Sequence, residues 1–177
     1  MTKILVFGKT GQVATELDRL PNTTTLSRTD ADFLNPSTFA DVIGCLKPIA
    51  VINAAAYTLV DAAEDNADVA FRVNAEAPAV LAKVCKSLNL PILHLSTDYV
   101  FSGDGNKFWT PEDEPNPKCV YGRSKLAGEE AVRMSGACHV ILRTSWVFSS
   151  TGNNFLKSIL RASNFHRPLR VVNDQIG

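Results

Sequence analysis

Behind Lys3 the chain runs Ile4-Leu5-Val6-Phe7 and stops on Gly8, with Gly11 and Ala14 following at intervals of three. Four consecutive aliphatic or aromatic residues leave no polar face. A strand over Lys3–Phe7 must therefore be covered on both sides, as in a parallel sheet flanked by helices. The rest of the chain repeats the theme. A helix is expected over Gly11–Leu20, a weak second strand over Thr23–Leu26, and a helix from Asn35-Pro36-Ser37 to about Lys47, with Pro36 suited to its first turn. Strands follow at Ala50–Asn53, Pro91–Ser96, His139–Arg143 and Leu169–Val172. Helical stretches cover Asn66–Leu88, Lys118–Met134 and Asn153–Ser163, and Pro78 should kink or divide the first of these. Such alternation means βαβ units with right-handed crossovers: an α/β fold with a doubly wound parallel sheet. At ~150 residues per domain, the 177 residues make one domain, 1–177.

Composition excludes several function classes. The chain has 18 basic and 18 acidic residues, interleaved, so there is no electrostatic footprint for nucleic acid. No apolar run approaches the ~18–20 residues that span a bilayer. The opening Met-Thr-Lys-Ile-Leu-Val-Phe-Gly lacks the features of a signal peptide, so a cytoplasmic protein is expected. Cys45, Cys85, Cys119 and Cys138 are widely spaced, with neither C-x-x-C nor a nearby histidine, and read as reduced, mostly buried thiols. His94 and His139 sit in strand-like runs and read as hydrogen-bonded core residues; His166 stands apart. The irregular segment Phe101–Pro117 is long enough to suggest function. The chain stops at Asp174-Gln175-Ile176-Gly177, just after an expected strand, and looks cut.

Two ends of the sheet carry chemistry. After the first strand, Gly8-Lys9-Thr10-Gly11-Gln12-Val13-Ala14 is a G-x-x-G-x-x-A pattern: glycines for a tight turn whose backbone can approach a pyrophosphate, and a small residue for helix–strand packing. Without G-K-[ST], Lys9 is not a phosphate-loop lysine. At the tip of the second strand, Ser27-Arg28 favours the 2′-phosphate of NADPH, while Asp30 and Asp32 keep NADH open. At the other end, Tyr121-Gly122-Arg123-Ser124-Lys125 is Y-x-x-x-K on one helical face. A lysine cation beside a phenol favours the phenolate, and such a tyrosine can protonate a ketone oxygen as hydride arrives. Upstream, a strand ends in Ser96-Thr97-Asp98-Tyr99, which sets the Thr97 hydroxyl over the crevice where α/β sheets bind ligands.

Taken together, Gly8-x-x-Gly11-x-x-Ala14, Asn53-Ala54-Ala55-Ala56-Tyr57, Thr97 and Tyr121-x-x-x-Lys125 resemble the extended short-chain dehydrogenase/reductase superfamily. Within it, four stretches are similar to the dTDP-4-dehydrorhamnose reductase family: the run from Val51 to Glu64, Ser96-Thr97-Asp98-Tyr99-Val100-Phe101, Tyr121-Gly122-x-Ser124-Lys125-x-x-Gly128-Glu129, and Arg143-Thr144-Ser145-Trp146-Val147-Phe148. The likeness runs from Lys3 to Gly177. It implies a cytoplasmic enzyme that uses NADPH to reduce the 4-keto group of dTDP-4-dehydro-L-rhamnose, a step of nucleotide-sugar and cell-surface polysaccharide biosynthesis.

By position the resemblance implies that Gly11, Gln12 and Val13 line the pyrophosphate turn, that Asp32 and Phe33 stand near the adenine, and that Ala54, Ala55 and Tyr57 pass under the cofactor. Tyr121 would donate the proton, and Lys125 would lower its pKa and hold the nicotinamide ribose. Thr97 and Asp98 would contact the dTDP-sugar and Trp146 would face it. Two plainer readings stay open: Trp146 as core, and Asp98 as a cap on local backbone. The family also implies Mg²⁺, for which Glu16 is the one local candidate, although one carboxylate is a poor cage. Dehydratases of the superfamily carry Asp-Glu directly after the threonine. Here Tyr99 follows Asp98, so carbonyl reduction is expected rather than loss of water. The alternative is a dinucleotide-binding subunit like the regulatory β-subunit of methionine adenosyltransferase, which shares the fold. Family reductases continue into a C-terminal portion that closes over the sugar nucleotide. Most of it is expected to be absent here, so this chain should bind NADPH and reduce sugar poorly. A homodimer is left open.

Overall fold

Strand and helix alternate along the computed structural model, which describes residues 4–105, 108–164 and 171. The strands are β1 (Ile4–Phe7), β2 (Thr23–Leu26), β3 (Ala50–Asn53), β4 (Ile92–Thr97) and β5 (His139–Thr144). The helices are α1 (Gln12–Leu17), α2 (Phe39–Leu46), α3 (Val60–Asp65), α4 (Ala67–Phe71), α5 (Ala77–Ser87), α6 (Val120–Met134) and α7 (Phe155–Ser163). All strand pairings are parallel, in the order β2-β1-β3-β4-β5. This is the doubly wound α/β sheet expected. The strand order reverses between β1 and β3, which opens a crevice at the carboxyl ends of those strands. The sixth strand expected at Leu169–Val172 lies outside the described residues, apart from Val171. Among the described residues no helix is long and apolar enough to cross a membrane.

The core forms where strand residues of one face meet the helices. Leu5 and Phe7 of β1 share a cluster with Phe33, Phe39 and Ile43, Val51 of β3, Leu81 of α5, Ile92 of β4 and Val132 of α6. The Phe7 and Phe33 rings pack edgewise or tilted against Phe39 at 5.0 and 5.1 Å. Val6 points to the opposite face and is equally buried, as a run without polar positions requires. Coverage of both faces does not extend to β5. Val140 and Leu142 are 58% and 47% exposed, and α7 leaves Phe155, Leu156 and Leu160 on the surface.

Two expected helices differ in extent, and α3 forms over Val60–Asp65 where none was expected. The first ends at Leu17 instead of Leu20. Beyond it Asp18 accepts a hydrogen bond from Thr25 Oγ1 at 2.6 Å, and Pro21 cannot continue a helix. The long stretch from Asn66 is divided by a π-helical turn over Arg72–Glu76, not by Pro78. Pro78 falls in the first turn of α5, where its missing N–H costs nothing. The π turn rotates Asn74 inward to 1% exposure. α6 then lies hard against it. A Cβ on Gly128 would stand 2.0 Å from the Asn74 carbonyl oxygen, and one on Gly122 would stand 2.2 Å from that of Tyr99. These two glycines set how closely α6 approaches the strand tips.

Candidate active site

The first three strand tips of the crevice are consecutive neighbours in the sheet. Gly8 follows β1 with φ +112°, and an added Cβ would sit 3.1 Å from backbone atoms of Ala54 and Ala55 at the tip of β3. The chain there is fixed by Gly8 N–H donating to the Leu26 carbonyl and Ala54 N–H to that of Phe7. Gly11 starts α1, and a Cβ there would meet nothing within 4 Å. The backbone of residues 8–11 is therefore open to a bulky anion. With only six residues, α1 adds little dipole, so the open turn carries this argument. Val13 lies in the first turn of α1. The Gln12 side chain is committed across the site: its Nε2 donates to the Val147 carbonyl (3.4 Å) and its Oε1 accepts from Asn154 Nδ2 (2.9 Å). Backbone N–H and C=O of Tyr57 are both held by Asn74, at 2.8 and 3.0 Å.

At the adjacent tip of β4, Thr97 is 5% exposed and caps a 3-10 turn over Asp98–Val100 by accepting from Tyr99 N–H. Its hydroxyl donates to Asp98 Oδ1 at 3.1 Å, and it stands near enough to the Tyr121 phenol to favour the phenolate. Tyr121 sits in the first turn of α6, edge-on to Tyr99 at 5.6 Å between ring centres. That turn is capped by Cys119 Sγ, which accepts from Gly122 N–H, and by Glu64 Oε1 on α3, which accepts from Val120 N–H at 2.7 Å. One turn on, Lys125 is 2% exposed and donates from Nζ to the Leu95 carbonyl at 2.6 Å. Ser124 bridges Asn74 to the Tyr121 carbonyl. The structure thus brings Thr97, Asp98, Tyr121 and Lys125 to one place.

The electrostatics correct one expectation. The Tyr121 phenol is held above its ordinary value, first by burial; the Thr97 hydroxyl pulls the other way, and the Asp98 carboxylate adds to the rise. Lys125 does not acidify it here, because the ammonium is aimed under the strand tip at Leu95. Burial brings Lys125 itself down to about 8, opposed by Glu129. His94 of β4 is a hydrogen-bonded core histidine, as expected: Asn53 Nδ2 lies 3.0 Å from its Nδ1, and burial followed by Lys125 pushes it down to about 3.

The remaining candidates differ in their surroundings. The Phe33 ring packs in the core with Phe7 and Phe39, so any part it takes at the adenine end would fall to its backbone. Arg28 is exposed and loosely paired with Asp32 (3.4 Å), whose Oδ1 also accepts from Leu34 N–H; Asp30 caps Ser27 instead. Trp146 is not core: it is 53% exposed, has φ +53° and meets Phe155 edge-on at 5.7 Å. Glu16 is paired with Arg19, and among the described residues no group of three or more His, Cys, Asp or Glu is placed to hold a metal. Two of the four cysteines, Cys45 and Cys138, are exposed, contrary to the reading of mostly buried thiols. A cavity of about 440 Å³ beside β5 is lined by Asp98 but by none of Thr97, Tyr121 and Lys125. Sequence reasoning missed Asn74, and it gave Ser124 and Glu64 no role although both stand in the reductase-like motifs. Their signal was weak, being single polar residues on amphipathic helices.

The whole chain, residues 1–177, matches the family described as the RmlD substrate binding domain. It belongs to that family. Among its RmlD relatives, dTDP-4-dehydrorhamnose reductase of Escherichia coli K12 is 43% identical over 98% of this chain and 61% of its own length. That of Burkholderia thailandensis is 43% identical over 99% and 60%. The chain thus spans about three fifths of the curated relatives it matches. In structure it resembles dTDP-4-dehydrorhamnose reductase of Bacillus anthracis in complex with NADP, with TM-score 0.89, 31% identity and coverage of 93% of this chain and 60% of that one. UDP-glucose 4-epimerase from Brucella ovis, at 18% identity and TM-score 0.71, shares the fold alone.

Proposed function

We propose that the protein is a carbonyl reductase that takes dTDP-4-dehydro-L-rhamnose to dTDP-L-rhamnose at the expense of NADPH. The observation that carries this reading is the position of Tyr121, in the first turn of α6 beside Thr97 at the tip of β4, with Lys125 one helical turn beyond and the open glycine turn across the crevice. Support comes from relatives named as this reductase, one of them with NADP bound.

The residues present fit a dinucleotide. The Gly8–Gly11 turn would seat the pyrophosphate, Ala54, Ala55 and Tyr57 would pass beneath the nicotinamide half, and the exposed Arg28 is free to swing from Asp32 to a 2′-phosphate. Bound NADPH supplies a hydride to the sugar's C4. Thr97 would position the C4 carbonyl oxygen and Tyr121 would deliver its proton as the C–O bond becomes an alkoxide. The elevated phenol suits a proton donor that must stay protonated until then. Lys125 would hold the nicotinamide ribose. Asp98 and Trp146 would contact the sugar, Trp146 through its exposed ring.

Absorbance at the NADPH band after addition of a dTDP-4-keto-6-deoxy sugar tests the reading. The full-length protein is expected to oxidise NADPH, and residues 1–177 alone to do so poorly or not at all. Tyr121→Phe is expected to lose activity by about 10²–10⁴-fold while binding NADPH normally in calorimetry. Absence of turnover by the full-length protein, with NADPH binding retained, would instead support a dinucleotide-binding subunit.

A further inference from the structure

Below the reaction centre, α6 carries a second buried group at helical spacing from the first. Tyr121, Lys125, Glu129 and Arg133 follow at intervals of four, so they form one ladder along one face. Glu129 is fully buried. Its carboxylate accepts a two-pronged fork from Arg143 of β5 (Nε at 2.9 Å, Nη2 at 2.7 Å) and a third bond from Arg133 Nη2 at 2.8 Å. Arg143 also lies 4.7 Å over the ring of Phe101, and Phe101 stacks in parallel on Trp109 at 4.8 Å. The Phe101 N–H donates to the Asp98 carbonyl, one residue from Thr97. One buried carboxylate therefore touches the strand tip through Arg143 and Phe101, and stands one turn from Lys125.

A carboxylate clamped only to tie a loop down would need no place on the Tyr–Lys face. Burying an ammonium is costly unless a negative charge stands near it. Without Glu129, Arg133 and Arg143 would also lose the carboxylate that pairs them both. We propose that Glu129 is a positioning residue for the Tyr121–Lys125 pair, supplying the fixed negative charge that keeps Lys125 cationic in its buried seat. The inference rests on the reductase reading for its purpose, though not for its measurement.

The other groups packed around α6 leave that role to Glu129. His94 of β4 is held neutral. From the turn after β4 come Tyr99, whose phenol is raised by burial, and Asp98, which is engaged by Thr97. Glu64 of α3 is spent on the helix N-terminus, Asn74 is uncharged, and burial pushes the Cys85 thiol of α5 up to about 12.

The test is direct titration of Lys125 by NMR in protein carrying ¹³C at lysine Cε, with Lys125→Met to assign the signal. In Glu129→Gln the Lys125 midpoint is expected to fall by about one to two pH units, as for loss of an opposite charge one helical turn away. Glu129→Asp, which keeps the charge, is expected to restore most of it. Should Glu129→Gln fail to fold, the Glu129→Gln/Arg133→Gln protein removes one charge of each sign, and a fall in the midpoint is still expected, since Glu129 is the nearer charge. The alkaline limb of the kcat/KM profile for keto-sugar reduction should move down with the midpoint. An unchanged Lys125 midpoint in the folded variants would overturn the proposal, whatever the turnover. Absence of turnover in the full-length protein would defeat the reductase reading and leave the titration to decide this one.

Discussion

Lys125 carries a stability cost that can be measured. Its side chain is 2% exposed, and burial lowers its ammonium from 10.5 to about 8. At about 1.36 kcal/mol per pH unit, this is a penalty of roughly 3 kcal/mol on the charged native state. Because the folded value lies below the unfolded one, the penalty is complete below about pH 8 and fades as pH rises toward 10.5, where the unfolded chain still binds the extra proton. Methionine has a similar length and carries no charge. Its introduction also removes the Nζ bond to the Leu95 carbonyl, a loss of about 1.5–3 kcal/mol for a charged donor. Lys125→Met is therefore expected to be more stable than wild type at pH 7 by about 1 kcal/mol. The advantage should shrink and then reverse as the buffer is taken from pH 8 toward pH 10, while turnover is lost throughout. Urea unfolding of both proteins across that range, read as midpoints at constant slope, makes the comparison, and other titrating groups cancel between them. A variant less stable at pH 7, with a difference that does not change with pH, would refute the burial argument.

Three further outcomes follow from the geometry. Gly128→Ala drives a methyl into the Asn74 carbonyl at 2.0 Å, backbone against backbone; it is expected to lower the melting temperature by the equivalent of about 3 kcal/mol or more and to weaken NADPH binding. Asn74→Ala leaves Tyr57 N–H and C=O without their partner, which should cost about 2–4 kcal/mol in urea unfolding and raise the NADPH dissociation constant. Arg28→Gln removes an exposed cation held only by Asp32 and is expected to reduce the preference for NADPH over NADH, in calorimetry, by about tenfold, with the melting temperature unchanged.

Local pattern was enough for the scaffold. Apolar runs ending on Gly8, Asn53 and Thr97 name β1, β3 and β4 because a strand buried on both faces has no other way to read. Y-x-x-x-K names its helix face because residues four apart must share one. What pattern could not supply is the environment of those groups. Periodicity places Tyr121 and Lys125 side by side, yet whether the ammonium points at the phenol or at the Leu95 carbonyl depends on how deep α6 sits, and two glycines and a π turn far apart in the chain settle that depth. Phe33 reads as a residue of the adenine end, and only the fold shows its ring packed against Phe7 and Phe39. Glu129 reads as a helix surface charge until β5 brings Arg143 across it. The sequence by itself determined which strands and helices form and the order of the chemistry along them, since these follow from neighbours in the chain. Only the tertiary structure decided burial, charge pairing and the direction of each polar side chain, since these follow from neighbours in space.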